Sequence, residues 1–148
     1  MLLQKNISRM TNLFIDTDVI IDFLIDRKPY SREAAIIFTQ IDQKKLMGYV
    51  SSLTFSNLFY VLRKIESQKK VISKLYSLSR LLTVLKVDDQ NIRDAIDSGF
   101  ADFEDSIQYF CALDYKKIEV IITRNTKDYK NSSLPVITPG DFLKSASS

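Results

Sequence analysis

The sequence predicts an α/β domain in which a parallel sheet carries helices on both of its faces. Short apolar runs alternate with longer segments of helical periodicity; the clearest run is the β-branched and nearly uncharged IEVIIT at 118–123. Strands that alternate with helices in this way are typical of a parallel sheet with a helix in each connection. The chain has 148 residues, of which 45% are hydrophobic and 26% charged, as expected for one globular domain.

The first half of the chain provides strands and helices in the order that such a fold requires. Residues 12–15 form an apolar run that predicts a strand ending at Asp16. Thr17 or Asp18 is expected to cap the helix that follows, and Pro29 lies beyond its end. The next predicted elements are a helix from Ser31, a strand over 47–51, a helix from Thr54 or Ser56, a basic amphipathic helix over about 70–82, and a strand over 83–87.

The second half repeats the alternation. Asp88 is expected to cap a helix that ends near Ser98, and Asp102 to cap the next helix. The apolar stripe of that second helix is predicted to comprise Phe103, Ile107, Phe110 and Cys111. Strands over 118–123 and 135–137 and a final helical turn over 139–144 complete the pattern. Because no repeat or linker divides the chain, we predict one domain over 11–143, with tails at 1–10 and 144–148.

Several kinds of chemistry are excluded by residues that the sequence lacks. There is no histidine, so Ser-His-Asp and Cys-His catalysis and the usual zinc sites are ruled out. Only three glycines occur, and none forms a phosphate-binding loop of known pattern. The single cysteine, Cys111, favours a reducing compartment, and no apolar run approaches the length of about 20 residues that a membrane span needs. We therefore predict a cytoplasmic protein with no membrane partner.

Acidic side chains are predicted to meet at one edge of the sheet. Asp16 closes the first strand, and Asp128 follows the strand IEVIIT by a few residues. Asp102 and Asp105 begin a helix and lie three residues apart, so they share a face. Ligands of parallel α/β sheets bind beyond the carboxyl ends of the strands, and clustered carboxylates there persist mainly when a cation is bound. An all-oxygen site prefers Mg²⁺ or Mn²⁺, and phosphodiester hydrolysis is the reaction such a site suits best.

Each of these residues also has an ordinary structural interpretation. Asp102 alone is explained equally well as a helix cap, and Asp128 as part of a polar turn. Glu104 is expected to be solvated, and Asn57 by itself to be a surface amide. Asp16 is the exception, because a carboxylate that directly ends an apolar strand is costly without a partner.

Four segments in order resemble the PIN-domain family, which includes the VapC-like toxin ribonucleases. They are FIDTDVIIDFL, SSLTFSNLFYVLRK, DFEDSIQYFCAL and IITRNTKDYKNSSLPVITPGDFL. The resemblance extends over almost the whole chain and implies a PIN-like three-layer fold, a site for one or two Mg²⁺ or Mn²⁺ ions, and single-stranded or structured RNA as substrate. It further implies a small antitoxin as a possible partner, and a homodimer.

The resemblance also assigns roles to individual residues. The metal-binding acids of the family correspond to Asp16, Asp105 and Asp128, with Asn125 as a second candidate for the last position. Thr123 and Arg124 are expected to line the same edge, and Asp102 is a possible additional residue.

One position departs from the family pattern. The helix-borne glutamate of the family falls on Asn57, which brings a carbonyl oxygen to the site but no charge. Asp18, or Asp22 one turn further along, is a candidate to restore that charge. A metal-dependent endoribonuclease is therefore the leading prediction, and a catalytically impaired domain that binds RNA or protein is the alternative.

Two rival functions rest on other features. Asp16-Thr17-Asp18 also resembles the first motif of haloacid-dehalogenase-type phosphatases, although no acidic pair follows Thr123 in the expected setting. RNA binding without cleavage is suggested by a group of basic residues, for which a solvated helix face is the alternative explanation: Arg63, Lys64, Lys69, Lys70, Lys74 and Arg80.

Overall fold

A five-stranded parallel sheet forms the centre of the protein. The structure is a computed structural model that describes residues 11–147. The strands are β1 (Thr11–Ile15), β2 (Leu46–Ser51), β3 (Thr83–Leu85), β4 (Val120–Ile122) and β5 (Val136–Ile137). Their spatial order is β3-β2-β1-β4-β5, and every pair is parallel.

Seven α-helices occur in the described part of the chain. They are α1 (Thr17–Leu24), α2 (Ser31–Asp42), α3 (Ser52–Leu62), α4 (Gln68–Leu81), α5 (Asp89–Asp97), α6 (Phe103–Asp114) and α7 (Pro139–Ser147). A 3₁₀ turn over Thr126–Tyr129 follows β4. The predicted α/β architecture is confirmed. The predicted tail at 1–10 lies outside the described residues, and the domain limits stay a prediction. None of the described helices combines the length and apolarity needed to cross a bilayer.

The two faces of the sheet bury separate hydrophobic clusters. Alternate side chains of a strand point to opposite faces, so Leu13 and Ile15 enter one cluster and Phe14 enters the other. Helices α1 to α4 and α7 contribute to the first cluster, whereas α6 packs on the second. Cys111 is 2% exposed within the second cluster, which confirms that it is a core residue.

The strand order places a crevice between β1 and β4. From β1 the chain moves outward through β2 to β3, then returns to the other side of β1 to add β4 and β5. Parallel sheets bind their ligands at such a reversal, beyond the carboxyl ends of the strands. The amide of Asp16 donates to the carbonyl of Ile122 at 2.9 Å, which joins the ends of the two strands. Residues that follow β1 and β4 therefore share this crevice.

Three local predictions were wrong. Asp16, rather than Thr17 or Asp18, caps α1, because its own carboxylate accepts from the amide of Thr17. Helix α3 begins at Ser52, directly after β2, ahead of both predicted starts, Thr54 and Ser56. Phe103 is 52% exposed, because it occupies the first position of α6, ahead of the turns that pack on the sheet.

Candidate metal and active site

Asp16 is the most tightly held carboxylate at the crevice. It is 2% exposed and accepts hydrogen bonds from the amide of Thr17 at 2.7 Å, Nε2 of Gln108 at 3.0 Å and Oγ1 of Thr123 at 2.7 Å. Burial raises the pKa of Asp16, although these three donors oppose that effect. Strands β1 and β4 and helix α6 thus fix this side chain together.

Asp18 lies in the first turn of α1, close to Asp16. Its Oδ2 accepts from the backbone amide of Arg124 at 3.1 Å and lies 3.5 Å from Oγ1 of Thr123. Its Oδ1 is buried and has no hydrogen-bond partner within residues 11–147. Burial and the charge of Asp16 raise the pKa of Asp18 to about 7. One oxygen of this carboxylate is therefore left available for a ligand.

Asp105 brings a third carboxylate to the crevice from α6. Its backbone amide donates to the carboxylate of Asp102 at 2.9 Å, so Asp102 acts as the cap of α6. The pKa of Asp105 is raised to about 8, first by burial and then by Asp16, Asp102 and Asp128. The carboxyl groups of Asp105 and Asp128 are close enough to share a hydrogen bond when one is protonated.

A buried tyrosine lies behind the three carboxylates. Tyr129 is 2% exposed, and its hydroxyl lies near Asp16 but makes no hydrogen bond of ordinary length and angle among the residues that the structure describes. Burial and the charges of Asp16, Asp105 and Asp18 raise the pKa of Tyr129, which shows that the hydroxyl faces the acidic cluster. A buried hydroxyl without a partner is costly, so a water or another ligand at this position would stabilise it.

Helices α3 and α6 face each other beside the crevice and contact through polar side chains. Oγ1 of Thr54 donates to Oε1 of Gln108 at 3.4 Å. About one turn away along both helices, Asn57 and Glu104 line the same groove, and the amide of Asn57 lies near the carboxylate of Glu104. Burial and the charges of Asp102 and Asp16 raise the pKa of Glu104, and the nearby amide of Asn57 opposes them. The prediction that Glu104 is solvated was wrong, because α3 covers part of its side chain.

Asp22 has a different environment from the other acidic residues. Its carboxylate is 1% exposed and accepts from Nε and Nη2 of Arg124 at 2.6 and 3.2 Å. Arg27 approaches it to 3.6 Å, and the guanidinium of Arg124 lies 4.0 Å from the ring centre of Tyr30. Asp22 is thus neutralised within the chain and brings no free charge to the crevice.

The predicted site residues therefore separate into two groups. The crevice brings together the side chains of Asp16, Asp18, Asp105, Asp128 and Thr123. Four others lie outside that group: Asp102 is a cap, Asp22 is ion-paired, Asn125 is exposed, and Asn57 contacts Glu104.

Sequence reasoning missed Gln108, Tyr129 and the position of Glu104. A signal was present for two of these, because Glu104 and Gln108 are four residues apart and so share one face of α6. Tyr129 gave no comparable signal, since the local sequence does not show that its 3₁₀ turn folds back under the strand ends.

The side chains at the crevice offer oxygen ligands, which suit a hard cation. They do not form a complete coordination shell. Among residues 11–147, no three acidic, histidine or cysteine side chains are spaced closely enough to enclose an ion. Each available donor is an oxygen, and the free Oδ1 of Asp18 is buried beside Asp16. Like charges in a buried crevice favour occupation by a divalent cation such as Mg²⁺ or Mn²⁺.

The basic residues just after α3 and along α4 are exposed, with the exception of Lys74. Lys74 donates to Glu66 at 2.6 Å and to the carbonyl of Leu24 at 3.1 Å, so it serves the fold. Nζ of Lys64 lies 4.6 Å from the ring centre of Tyr60, which is 68% exposed. These contacts agree with a solvated helix face for most of the group.

Comparisons with known proteins agree with this architecture. The sequence profile of the PIN domain matches residues 12–127. Ribonuclease VapC1 from Aquifex aeolicus (strain VF5) is 26% identical over 137 residues, which cover 89% of this chain and 93% of that protein. VapBC-1 from nontypeable Haemophilus influenzae has a similar fold, with a TM-score of 0.67 and 18% identity over 88% of this chain and 99% of that one.

A toxin–antitoxin complex from Klebsiella pneumoniae also has a similar fold. Its TM-score is 0.59 at 21% identity, and the match covers 86% of this chain and 97% of that one. These structural similarities show the fold alone, whereas the PIN-domain profile matches the sequence over residues 12–127. Since that match extends over most of the chain and includes Asp16 and Asp105, this chain belongs to the PIN-domain family.

Proposed function

We propose that this protein is a metal-dependent endoribonuclease whose site is formed by Asp16, Asp105 and Asp128, with Asp18 beside them. The observation that supports this best is the meeting of like-charged, partly buried carboxylates where β1 and β4 end. A fold gains no stability from such repulsion, so the arrangement is best explained by a bound cation. The family membership and the relation to a ribonuclease at 26% identity support the same reaction.

The residues around the crevice have different roles in the proposed site. Gln108, Thr123 and the start of α1 hold Asp16 in place, so that one acid is oriented before any ligand arrives. Asp105 and Asp128 lie beside each other and add their carboxylates to that of Asp16. When bound there, Mg²⁺ or Mn²⁺ supplies an activated water and stabilises charge on the phosphate. The match to the PIN-domain family favours this reaction over that of the phosphatases whose first motif Asp16-Thr17-Asp18 also resembles.

The proposal is tested by incubating the purified protein with labelled RNA, both single-stranded and hairpin, in Mn²⁺, in Mg²⁺ and in EDTA. We expect cleavage only with a divalent ion. Asp105→Asn should lower the rate by about a hundredfold or more, in the range seen when a group that stabilises transition-state charge is removed. The matched control is Asp97→Asn, which removes the same charge from an exposed position on α5 and should leave the rate unchanged.

Equal cleavage by the wild type and by Asp105→Asn would identify a contaminating nuclease and contradict the proposal. RNA binding without cleavage in either metal would favour the alternative that the domain is catalytically impaired. A retained rate for Asp97→Asn shows that the loss in Asp105→Asn reflects its position and not total charge.

We further propose a small antitoxin as the partner that controls this activity. Solved structures with the same fold include a toxin–antitoxin complex and VapBC-1. Co-expression with the product of the neighbouring gene, followed by size-exclusion chromatography and the RNA assay, tests this. We expect a stable complex that does not cleave RNA. A homodimer of the free protein stays a prediction, which light scattering on the same column tests.

A further inference from the structure

A groove of about 450 Å³ lies beside the crevice and is lined by side chains of α1, α3 and α6. Two of its lining residues are chain neighbours of the proposed metal-binding acids. Thr17 directly follows Asp16 and donates its amide to that carboxylate at 2.7 Å. Glu104 directly precedes Asp105 on α6. A strand of RNA that lies over the crevice can therefore continue into the groove.

The lining of the groove combines apolar and neutral polar side chains. Ile21 and Val61 are its apolar members, whereas Ser56 and Asn57 bring a hydroxyl and an amide. A nucleobase needs this mixture, since its ring faces stack on apolar surface and its edges carry hydrogen-bond donors and acceptors. The volume lies within the range of small-molecule pockets, about 300–1,000 Å³, so one nucleotide fits.

Tyr60 brings to the groove an aromatic ring that the fold does not bury. Its side chain is 68% exposed, and it lies three residues after Asn57 on the same face of α3. Thr54, which lies 3.1 Å from the hydroxyl of Thr17, precedes Tyr60 by six residues, or about 9 Å at a rise of ~1.5 Å per residue. That distance equals about three nucleotides at a spacing of ~3.4 Å, so a strand bound at the crevice reaches Tyr60.

Positive charge is concentrated next to this ring. Nζ of Lys64 lies 4.6 Å from the ring centre of Tyr60. Helices α3 and α4 with their connection carry six basic residues and one acid, Glu66, which is paired with Lys74 at 2.6 Å. Since the whole chain has a net charge of +3, the rest of the chain is net negative. This helix pair therefore complements a polyanion.

We propose that the groove binds a nucleotide of single-stranded RNA close to the bond that is cut, with Tyr60 stacking on the base and Lys64 contacting a phosphate. The inference rests on the proposed function, because it names where the substrate of that site is held. Aromatic side chains next to cations are the means by which proteins bind single strands with little sequence preference. The concentration of positive charge favours RNA over a protein partner as the occupant.

The experiment measures the binding of a fluorescently labelled single-stranded RNA of about 12 nucleotides by anisotropy, in EDTA so that the RNA is not cut. Tyr60→Ala should weaken binding about tenfold, as expected for the loss of one stacked base, whereas Tyr60→Phe should bind within about twofold of the wild type. Lys64→Gln should reduce the slope of log affinity against log salt concentration by about 0.7, which corresponds to one phosphate contact.

A second aromatic pair provides the matched control. Tyr76 on α4 is 62% exposed, and the guanidinium of Arg80 lies 5.7 Å from its ring centre. This pair has the same chemistry and spacing as Tyr60 and Lys64, but neither of its members lines the groove. Tyr76→Ala should leave the RNA affinity unchanged, and Arg80→Gln should leave the salt slope unchanged. A thermal melt of each variant shows that these exposed substitutions do not affect folding.

The inference is overturned by absent RNA binding in the wild type, by unchanged affinity in Tyr60→Ala, or by equal losses in Tyr60→Ala and Tyr76→Ala. Equal losses would indicate unspecific attraction to the whole basic surface. If Tyr60→Ala kept its RNA affinity but no longer bound the product of the neighbouring gene, the groove would belong to a protein partner instead. The proposed nuclease function fails differently: the wild type then binds RNA through Tyr60 but does not cut it in Mg²⁺ or Mn²⁺.

Discussion

Helix α1 carries two carboxylates four residues apart whose surroundings are opposite. Asp18, in the first turn, meets the charge of Asp16 and leaves one buried oxygen without a partner in the described chain. Asp22, one turn later, is bound by Arg124 through two hydrogen bonds of 2.6 and 3.2 Å. The same helix face therefore passes from an excess of negative charge to a neutral ion pair within one turn.

The difference teaches that burial alone does not identify a functional carboxylate. Asp22 is 1% exposed, yet its charge is balanced within the chain, and it fixes Arg124 against the ring of Tyr30. Arg124 in turn presents its backbone amide to Asp18. The ion pair thus supports the site structurally, whereas the unbalanced charge near Asp16 is available to a ligand.

The largest effect is expected from breaking the ion pair. Asp22→Asn leaves the guanidinium of Arg124, which is 22% exposed, without its carboxylate, and should lower the free energy of unfolding by about 3 kcal/mol. Urea denaturation followed by circular dichroism measures this. Replacing both partners by apolar residues, as in Asp22→Leu with Arg124→Met, should cost clearly less than the single substitution. A loss of under about 1 kcal/mol for Asp22→Asn would contradict the view of Asp22 as a structural partner.

The sequence predicted the fold well because the pattern of each element was local. Apolar runs marked β1, β2 and β4, and the caps Asp88 and Asp102 began α5 and α6 as expected. The start of α3 was missed, since Ser51 joins β2 directly to the helix and its polar neighbours have the composition of a loop. Local patterns cannot show that a strand and a helix follow each other without a turn.

The second prediction concerns pH in the absence of metal. Burial and the neighbouring acids raise the pKa of Asp18 to about 7 and that of Asp105 to about 8, compared with 3.8 in the unfolded chain. Between the unfolded pKa of 3.8 and the folded values of about 7 and 8, the folded protein binds more protons than the unfolded protein. The free energy of unfolding therefore falls as pH rises through this range. We expect a loss of at least about 2 kcal/mol from pH 5 to pH 8 in EDTA, measured by urea denaturation; this is less than the full pKa shifts would give, because solvent screens these partly exposed groups. The chain has no histidine, which removes the usual competing titration in this window.

Saturating Mg²⁺ or Mn²⁺ should flatten that pH dependence, because the cation replaces the protons as the source of positive charge. A free energy of unfolding that rose from pH 5 to pH 8 in EDTA would mean that the carboxylates do not repel one another in the folded state. Unbalanced charge could then no longer explain the difference between Asp18 and Asp22.

The third prediction isolates Asp18. Asp18→Asn keeps an oxygen that accepts from the amide of Arg124 but removes the charge that opposes Asp16. We expect the metal-free protein at pH 8 to gain about 1 kcal/mol of stability, as is common when a strained functional group is neutralised. Mn²⁺ affinity should fall in the same variant. A loss of stability would instead place Asp18 with Asp22 among the structural acids.

The site was only partly predictable, and the reason is physical. Asp16 and Asp105 were recognisable because a strand end and a helix start constrain where their side chains point. The partner of Asp22 could not be found from the sequence, since Arg124 lies more than a hundred residues away and the pairing depends on how β4 adjoins β1. The contact between Asn57 and Glu104 likewise requires the spacing of two helices that only the folded structure provides.

The smallest effect is expected at Asp26, the next carboxylate at the same spacing, which lies just beyond the end of α1. It pairs with Lys28 at 3.2 Å, but both side chains are about three-quarters exposed, at 74% and 77%. Water and salt screen such a pair, and its formation restricts two flexible side chains, so little net stabilisation remains.

Asp26→Asn is the substitution that tests this cleanly. The backbone of Asp26 has φ 52°, a conformation that asparagine tolerates as aspartate does, whereas alanine would add backbone strain. The urea midpoint should therefore stay unchanged in Asp26→Asn. A fall comparable to that of Asp22→Asn would show that pairing with a cation stabilises the fold even in water. An unchanged midpoint assigns the effect at Asp22 to pairing and burial acting together.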